Sequence, residues 1–353
     1  MNQGKAAQAT LAQKENRVMS NPATAWQTFL ISQGAHFNSQ GEASFPIEKA
    51  SAQLFDLSGN GLIAISGADS QTFLQGQVTN DIKLLAQGAQ FNGYCTPKGR
   101  LLALFYSFIV EDVIYLQCPR ALVPDLVKRL RMYVLRSKVV VEDASERLYS
   151  LGLASDALAS TLTGLPADPH QLAQTELGTL IRLADAGTQQ RAQLIVAADK
   201  AETVWQSLRA TFTPSSTAHW EALEIQAGIP QVYPATKEQF VPQMVNLDAL
   251  NGINFKKGCY TGQEIVARTH YLGKVKRRTL LAQLPKTAQV PLAGDTLQDA
   301  QTQDAGQLVR VAPDALSGGW WVLAECRLEA KEAGEILWQG QPLLFKELPY
   351  ALP

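Results

Sequence analysis

The chain has 353 residues, of which 46% are hydrophobic and 18% charged, and a net charge of −1. That length and balance provide for two or three domains with a sizeable core and exclude a disordered chain. Near-neutrality excludes a global field that would gather nucleic acid or anionic lipid, so any anion must meet a local patch.

Residues 1–24 are rich in Gln, Ala, Asn and Lys and lack aromatics, which predicts a partly mobile arm and lead-in over 1–50. The first twenty residues hold no apolar leader core, and no apolar run reaches transmembrane length. A cytoplasmic protein away from membranes is the expectation. A short helix is expected at 26–31. A first α+β domain is then expected over 51–145. Its strands lie at 61–66, 91–95, 101–110, 113–118 and 138–141. A helix start is read at 67–70, with Phe73 and Leu74 facing inward, and a tight turn at Pro97-Lys98-Gly99. After Pro119 a helix carries Leu122, Leu126 and Leu130 at i, i+4 and i+8.

A similar order recurs in a second domain over 146–275. Strands are read at 148–153, 179–183 and 193–197, with a helix at 155–162. Another helix places Ala201, Val204, Trp205 and Leu208 on one stripe. The recurrence predicts an internal structural duplication. Residues 211–217 read as a polar loop and hinge. The helix at 219–227 follows, stopped by Gly228 and Pro230. Residues 231–254 read as irregular. From 276 to 353, short strands punctuated by Gly and Pro predict a C-terminal antiparallel β-barrel.

Between these parts lies Lys256-Lys257-Gly258-Cys259-Tyr260-Thr261-Gly262-Gln263-Glu264, with Arg268 beyond. Its glycines permit positive φ, and its lysines and the start of a helix favour thiolate at Cys259. Cys259 is read either as a reactive, ligand-contacting thiol or as a small buried gap-filler. The other cysteines, Cys95, Cys118 and Cys326, lie in apolar strands and read as core. No C-x-x-C spacing or His-rich tract supports a self-contained metal site, and sparse cysteines suit a reducing compartment. The basic run Arg268, His270, Lys274, Lys276, Arg277 and Arg278 reads as a surface for a polyanionic ligand, an acidic partner or RNA, or as a solvated linker and barrel rim. Without interleaved aromatics, direct tRNA binding is the weakest of these readings.

The stretch K-G-C-Y-T-G-Q-E resembles the hallmark of the YgfZ family of folate-binding proteins. That family is related to the aminomethyltransferase (T-protein) of the glycine cleavage system. The resemblance extends to Phe73-Leu74-Gln75-Gly76, Thr79-Asn80-Asp81, Tyr94 to Arg100, Trp220-Glu221-Ala222-Leu223, Ala227 to Pro230, Phe240 to Gln243 and Asn246-Leu247-Asp248. It implies a T-protein-like α+β fold: two ferredoxin-like layers plus the barrel, around a central folate channel. It implies a tetrahydrofolate-binding accessory protein that supports assembly or repair of iron–sulfur clusters. The client enzymes would include radical methylthiotransferases acting on tRNA. Cys259 and Lys257 match the family's functional residues. Gly258, Tyr260, Gln263, Glu264, Arg268, Asn80, Trp220 and Gln226 are the expected contacts to tetrahydrofolate or a derivative. The alternative is a folate-dependent aminomethyltransferase or demethylase. Against it, Leu102 and Ala103 stand where T-proteins carry paired aspartates, and Gln226 stands where they carry an acidic residue.

Overall fold

The structure, a computed structural model, describes residues 24–38, 41–46 and 50–353. Of the expected arm and lead-in over 1–50, residues 1–23, 39–40 and 47–49 lie outside the described residues. The rest is ordered, with Trp26, Phe29, Leu30 and Phe45 in the core. The described part starts at Thr24. Its side chain caps helix Ala25–Ser32 by accepting from the Gln27 backbone N–H.

Apolar strands with one face turned to a helix build the first sheet. Its order is Gln90–Cys95, Leu101–Val110, Val113–Pro119, Asn60–Ser66, Val140–Asp143, all antiparallel. Helices Ser70–Gln75 and Val123–Arg131 cover one face. Phe73, Leu74, Leu122, Leu126 and Leu130 are buried there, as their spacing predicts.

The second sheet runs Leu172–Thr175, Gly178–Ala186, Gln189–Ala197, Leu148–Ser155, Ala52–Asp56, Thr213–Ser215. Taken in chain order, its own five strands occupy the same places as the five of the first sheet. The duplication read from the sequence is therefore visible in the topology. The one difference is Ala52–Asp56. This strand precedes the first unit in the chain yet lies inside the second sheet, antiparallel to Leu148–Ser155 and parallel to Thr213–Ser215. Helices Ala25–Ser32 and Ala201–Leu208 cover the outer face, where Trp26 meets Trp205 edge-on and stacks on Tyr149.

Two readings are corrected here. Residues 213–215 form a strand rather than a hinge. Pro214 is tolerated because the strand lies at the sheet edge, where a missing N–H costs no ladder bond. The helix expected at 155–162 shrinks to Leu158–Thr161, because strand Leu148–Ser155 runs on and pairs through Ser155.

The C-terminal part is a seven-stranded, barrel-like antiparallel sheet. Its order is Gln341–Pro342, Ile336–Trp338, Thr296–Asp299, Asp304–Pro313, Trp320–Arg327, Arg277–Leu284, Leu344–Lys346. Helix Leu328–Ala333 and the strands at 296–299 and 341–342 carry too few residues to leave a periodic signal. All three parts meet on helix Thr217–Gln226, around which both sheets and the barrel share one apolar centre.

Candidate functional site

The hallmark stretch is a loop leading into helix Gln263–Tyr271. Gly262 caps the helix at φ 85 and packs on the turn at 96–99. An added Cβ would press on the Thr96 carbonyl oxygen and lie 3.0 Å from Gly99 Cα. Gly99, itself at φ 68, would meet Ile265 in return. Gly262 meets the expectation of positive φ. Gly258 does not, since it lies outside the left-handed region and is exposed. Cys259 is exposed, four residues before the first helical residue, rather than at the helix start. The gap-filler reading is thereby overturned. Cys95, Cys118 and Cys326 are buried, and burial pushes the Cys95 and Cys326 thiols up to about 12.

Lys257 points the other way. Its ammonium donates to three backbone carbonyls, Gln75 at 2.7 Å, Val78 at 2.6 Å and Asn80 at 2.8 Å. An ammonium has three N–H donors, so all are used. Two of these acceptors lie just past the C-terminus of helix Ser70–Gln75, and Gln75 is its last residue, an end that favours a cation. Burial lowers the Lys257 pKa to about 8, opposed by Asp81. The Tyr260 ring lies 5.1 Å from the ammonium and is itself buried. Asn80 continues the chain of contacts, donating to the Asn251 and Phe91 carbonyls at 2.7 and 3.1 Å. Asp81 caps the following 3-10 turn at Lys83. Gln263 is half-buried, and Glu264 and Arg268 are exposed. Of the basic run, Arg278 is buried in a two-pronged pair with Asp248, and Arg277 binds Glu325 and Asp304. Arg278 thus turns inward, and Arg277 is neutralised by two carboxylates, so neither is left free in the run.

A second feature lies at the junction of the three parts. A small chamber of about 50 Å³ is walled by Trp220, Phe91, Tyr106, His170, Gln117 and Gln193, among others. Asn60, Gln231 and Arg310 line both this chamber and an outer groove of about 1370 Å³. Of the candidate contacts only Trp220 lines this space. Gln226 turns its amide onto the Ala222 carbonyl of its own helix. Sequence reasoning missed the chamber's charges. Glu224 accepts from Arg191 at 2.6 Å and from Arg310 at 3.2 Å, and Arg310 also meets Glu221 at 2.7 Å. Burial works against the Glu224 carboxylate, yet Arg191 and then Arg310 hold it below its usual range. Burial raises Glu221 despite Arg310. Arg191 also lies 5.4 Å over the Trp220 ring. Tyr106 and His170 share a 2.9 Å hydrogen bond, and burial lowers the His170 pKa. The one local signal was Glu224, four residues after Trp220 on one helical face.

The chamber's groups match the chemistry of a flat heterocycle with a polar edge, but at about 50 Å³ it has room for a few waters and must widen to admit a ring. Trp220 and Phe91 offer apolar faces, while Gln117, Gln193 and Glu224 form a polar wall already bonded within itself. Gln193 donates to Gln117 Oε1 and Ser150 Oγ, Gln117 donates to Ser150 Oγ, and Glu224 accepts from Arg191 and Arg310. Leu102 and Ala103 are buried in the first unit's outer core, so no carboxylate stands at that turn. Among the described residues no three His, Cys, Asp or Glu side chains gather as a metal site, and no helix is long and apolar enough to cross a membrane.

The chain is similar to curated proteins named tRNA-modifying protein YgfZ. The relative from Hamiltonella defensa is 33% identical over 291 residues, covering 80% of this chain and 85% of its own length. One from Yersinia pseudotuberculosis is 35% identical over 245 residues, covering 67% and 72%. Among solved structures, the glycine cleavage system aminomethyltransferase T of Bartonella henselae superposes with a TM-score of 0.67 at 18% identity. It covers 92% of this chain and 96% of its own. That likeness establishes a T-protein-like fold. No protein-family model matches the chain.

Proposed function

The chain belongs to the YgfZ family, and from that premise we propose that it is a tetrahydrofolate-binding accessory protein in tRNA modification. It acts by supporting the iron–sulfur clusters of client enzymes such as radical methylthiotransferases. Cys259 is the thiol offered to the client, and Lys257 sets the loop that presents it. Tetrahydrofolate, when bound, supplies a carrier for one-carbon units.

One observation carries the reading: the Cys259 loop is connected to the chamber wall. Lys257 donates to the Asn80 carbonyl, and the Asn80 amide donates to the Phe91 carbonyl. The Phe91 ring lines the chamber and packs 5.1 Å from Tyr106. A ligand that shifts Phe91 thereby bears on the loop that holds the exposed thiol. Once the chamber widens from its present volume of about 50 Å³, Trp220 and Phe91 hold the ring system. Glu224, fixed by two arginines, and the Gln117 and Gln193 amides orient its polar edge. The longer part of the ligand runs toward Arg310 and the outer groove. The alternative, an aminomethyltransferase, lacks its carboxylate at Leu102 and Ala103.

Calorimetric titration with tetrahydrofolate tests this. Binding is expected in the native protein and in Cys259→Ala, and its loss is expected in Trp220→Ala. Activity of a cluster-dependent tRNA-modifying enzyme in cells is expected to fall with Cys259→Ala. Absence of folate affinity in the native protein defeats the folate part. Full complementation by Cys259→Ala defeats the thiol part.

A further inference from the structure

The weakest reading of the basic run rested on missing aromatics. Folding supplies them from a distance. Phe255, before the hallmark, stacks on His270, at the far end of the following helix, with ring centroids 3.7 Å apart and planes 12° apart. Tyr271 stands edge-on to both, at 6.1 and 4.7 Å. His270 is exposed, and Tyr271 is 64% exposed. Flat surfaces are thus left open to solvent at the end of a helix.

Four cations lie close to them in the chain. Lys256 adjoins Phe255. Arg268 lies just before His270 on the helix, and Lys274 and Lys276 follow it. All four are exposed, and none has an ion-pair partner among the described residues. The opposing charge on this helix is Glu264, in its first turn, away from the aromatic end. In a chain of net charge −1, four exposed cations without ion pairs within six residues of a stacked aromatic pair are a local concentration of positive charge along the chain.

We propose that this surface, with Tyr271 and His270 as stacking platforms and Lys256, Arg268, Lys274 and Lys276 as phosphate contacts, binds single-stranded RNA. Unpaired bases expose π-faces that stack on aromatic side chains, and their phosphates pair with neighbouring cations. A duplex buries those faces, so it would gain only the charge term. Cys259 sits on the same loop, three residues after Lys256. The inference extends the tRNA reading above by making RNA a direct partner. Folate titration and the cluster assay can each succeed or fail without it.

The test is fluorescence anisotropy of the full-length protein with a labelled single-stranded RNA of about a dozen nucleotides, and with its blunt duplex, across a salt series. Four phosphate contacts on a single strand give a log–log salt slope of about −3. Tyr271→Ala should weaken single-strand binding about tenfold or more while leaving that slope unchanged. Tyr271→Phe, which keeps the ring, should restore it. Lys274→Gln with Lys276→Gln should make the slope shallower by about 1.4. The proposal is overturned by no binding at low salt. It is equally overturned by duplex binding as tight as single-strand binding with Tyr271→Ala neutral, which reports charge adhesion alone. Tighter association with anionic phospholipid vesicles than with RNA would also overturn it.

Discussion

Replacing Lys257 by Met keeps a long apolar stem and removes the ammonium from the carbonyls of Gln75, Val78 and Asn80. A buried acceptor that loses its donor costs about 1–3 kcal/mol, and a charged donor lies toward the upper end. Water reaches the Gln75 carbonyl, where the bond is part-buried, so the loss is nearer two full bonds than three. The ammonium is itself held at a cost, since burial takes its pKa from 10.5 to about 8. Removing that cost offsets part of the loss and leaves a net destabilisation of about 2–3 kcal/mol. Urea unfolding measures the total, and amide exchange over 76–81 and 255–262 locates it. The sign of the pH dependence follows from the lowered pKa. Below about 8 both folded and unfolded lysine are protonated and the gap between wild type and variant is constant. Between 8 and 10.5 the unfolded chain keeps the proton that the fold has released, so wild type gains stability over the variant as pH rises. Lys257→Arg should also fail, because a planar guanidinium cannot aim three N–H groups from one nitrogen at converging carbonyls. Wild-type stability with unchanged exchange at 76–81 in Lys257→Met would refute the clamp.

Gly262→Ala places a methyl group against Thr96 at φ 85, so it should cost roughly 2 kcal/mol or more and separate the turn from the helix, read by unfolding and by faster cleavage near 97–99. An unchanged midpoint would count against that docking. Glu224→Gln leaves Arg191 and Arg310 short of a charge and should cost about 3 kcal/mol at pH 7. Because the Glu224 pKa is depressed in the fold, its contribution is present above about 4.5 and lost as pH falls through the folded value, so the acid limb of the stability curve should flatten in the variant. Unfolding curves at stepped pH decide this, and an identical acid limb would contradict it. Iodoacetamide with mass spectrometry should label Cys259 first in the native protein, with Cys95, Cys118 and Cys326 reacting only in denaturant. Rapid native labelling of two or more thiols would show that the buried three are accessible.

Much of the frame was legible because it is local. The Leu122, Leu126, Leu130 stripe, the long strand Leu101–Val110 and the short-strand rhythm after 276 all follow from periodicity within a few residues. What escaped depends on distance. The Lys257 anchor joins residues roughly 180 apart, with bare carbonyls that no side-chain pattern marks. Arg191, Glu224 and Arg310 come from a strand, a helix and the barrel, and nothing in their local sequence links them. Phe255 and His270 become a stacked pair only because the loop and helix between them turn back. Thr213–Ser215 looked like a loop because its polar, proline-bearing sequence is that of an edge strand, whose pairing comes from Ala52–Asp56.

That borrowed strand has a consequence during synthesis. Residues 52–56 leave the ribosome 92 positions ahead of the first residue of their neighbour at 148–155 (148 minus 56). At about 5–20 residues per second, the segment waits roughly 5–20 s with Leu54 and Phe55 unburied, while the unit after it completes its own sheet. The nascent chain therefore carries an open β-edge through the whole interval in which its first half folds. A pause before 148, or a truncation there, would prolong the exposure and invite pairing with another nascent copy.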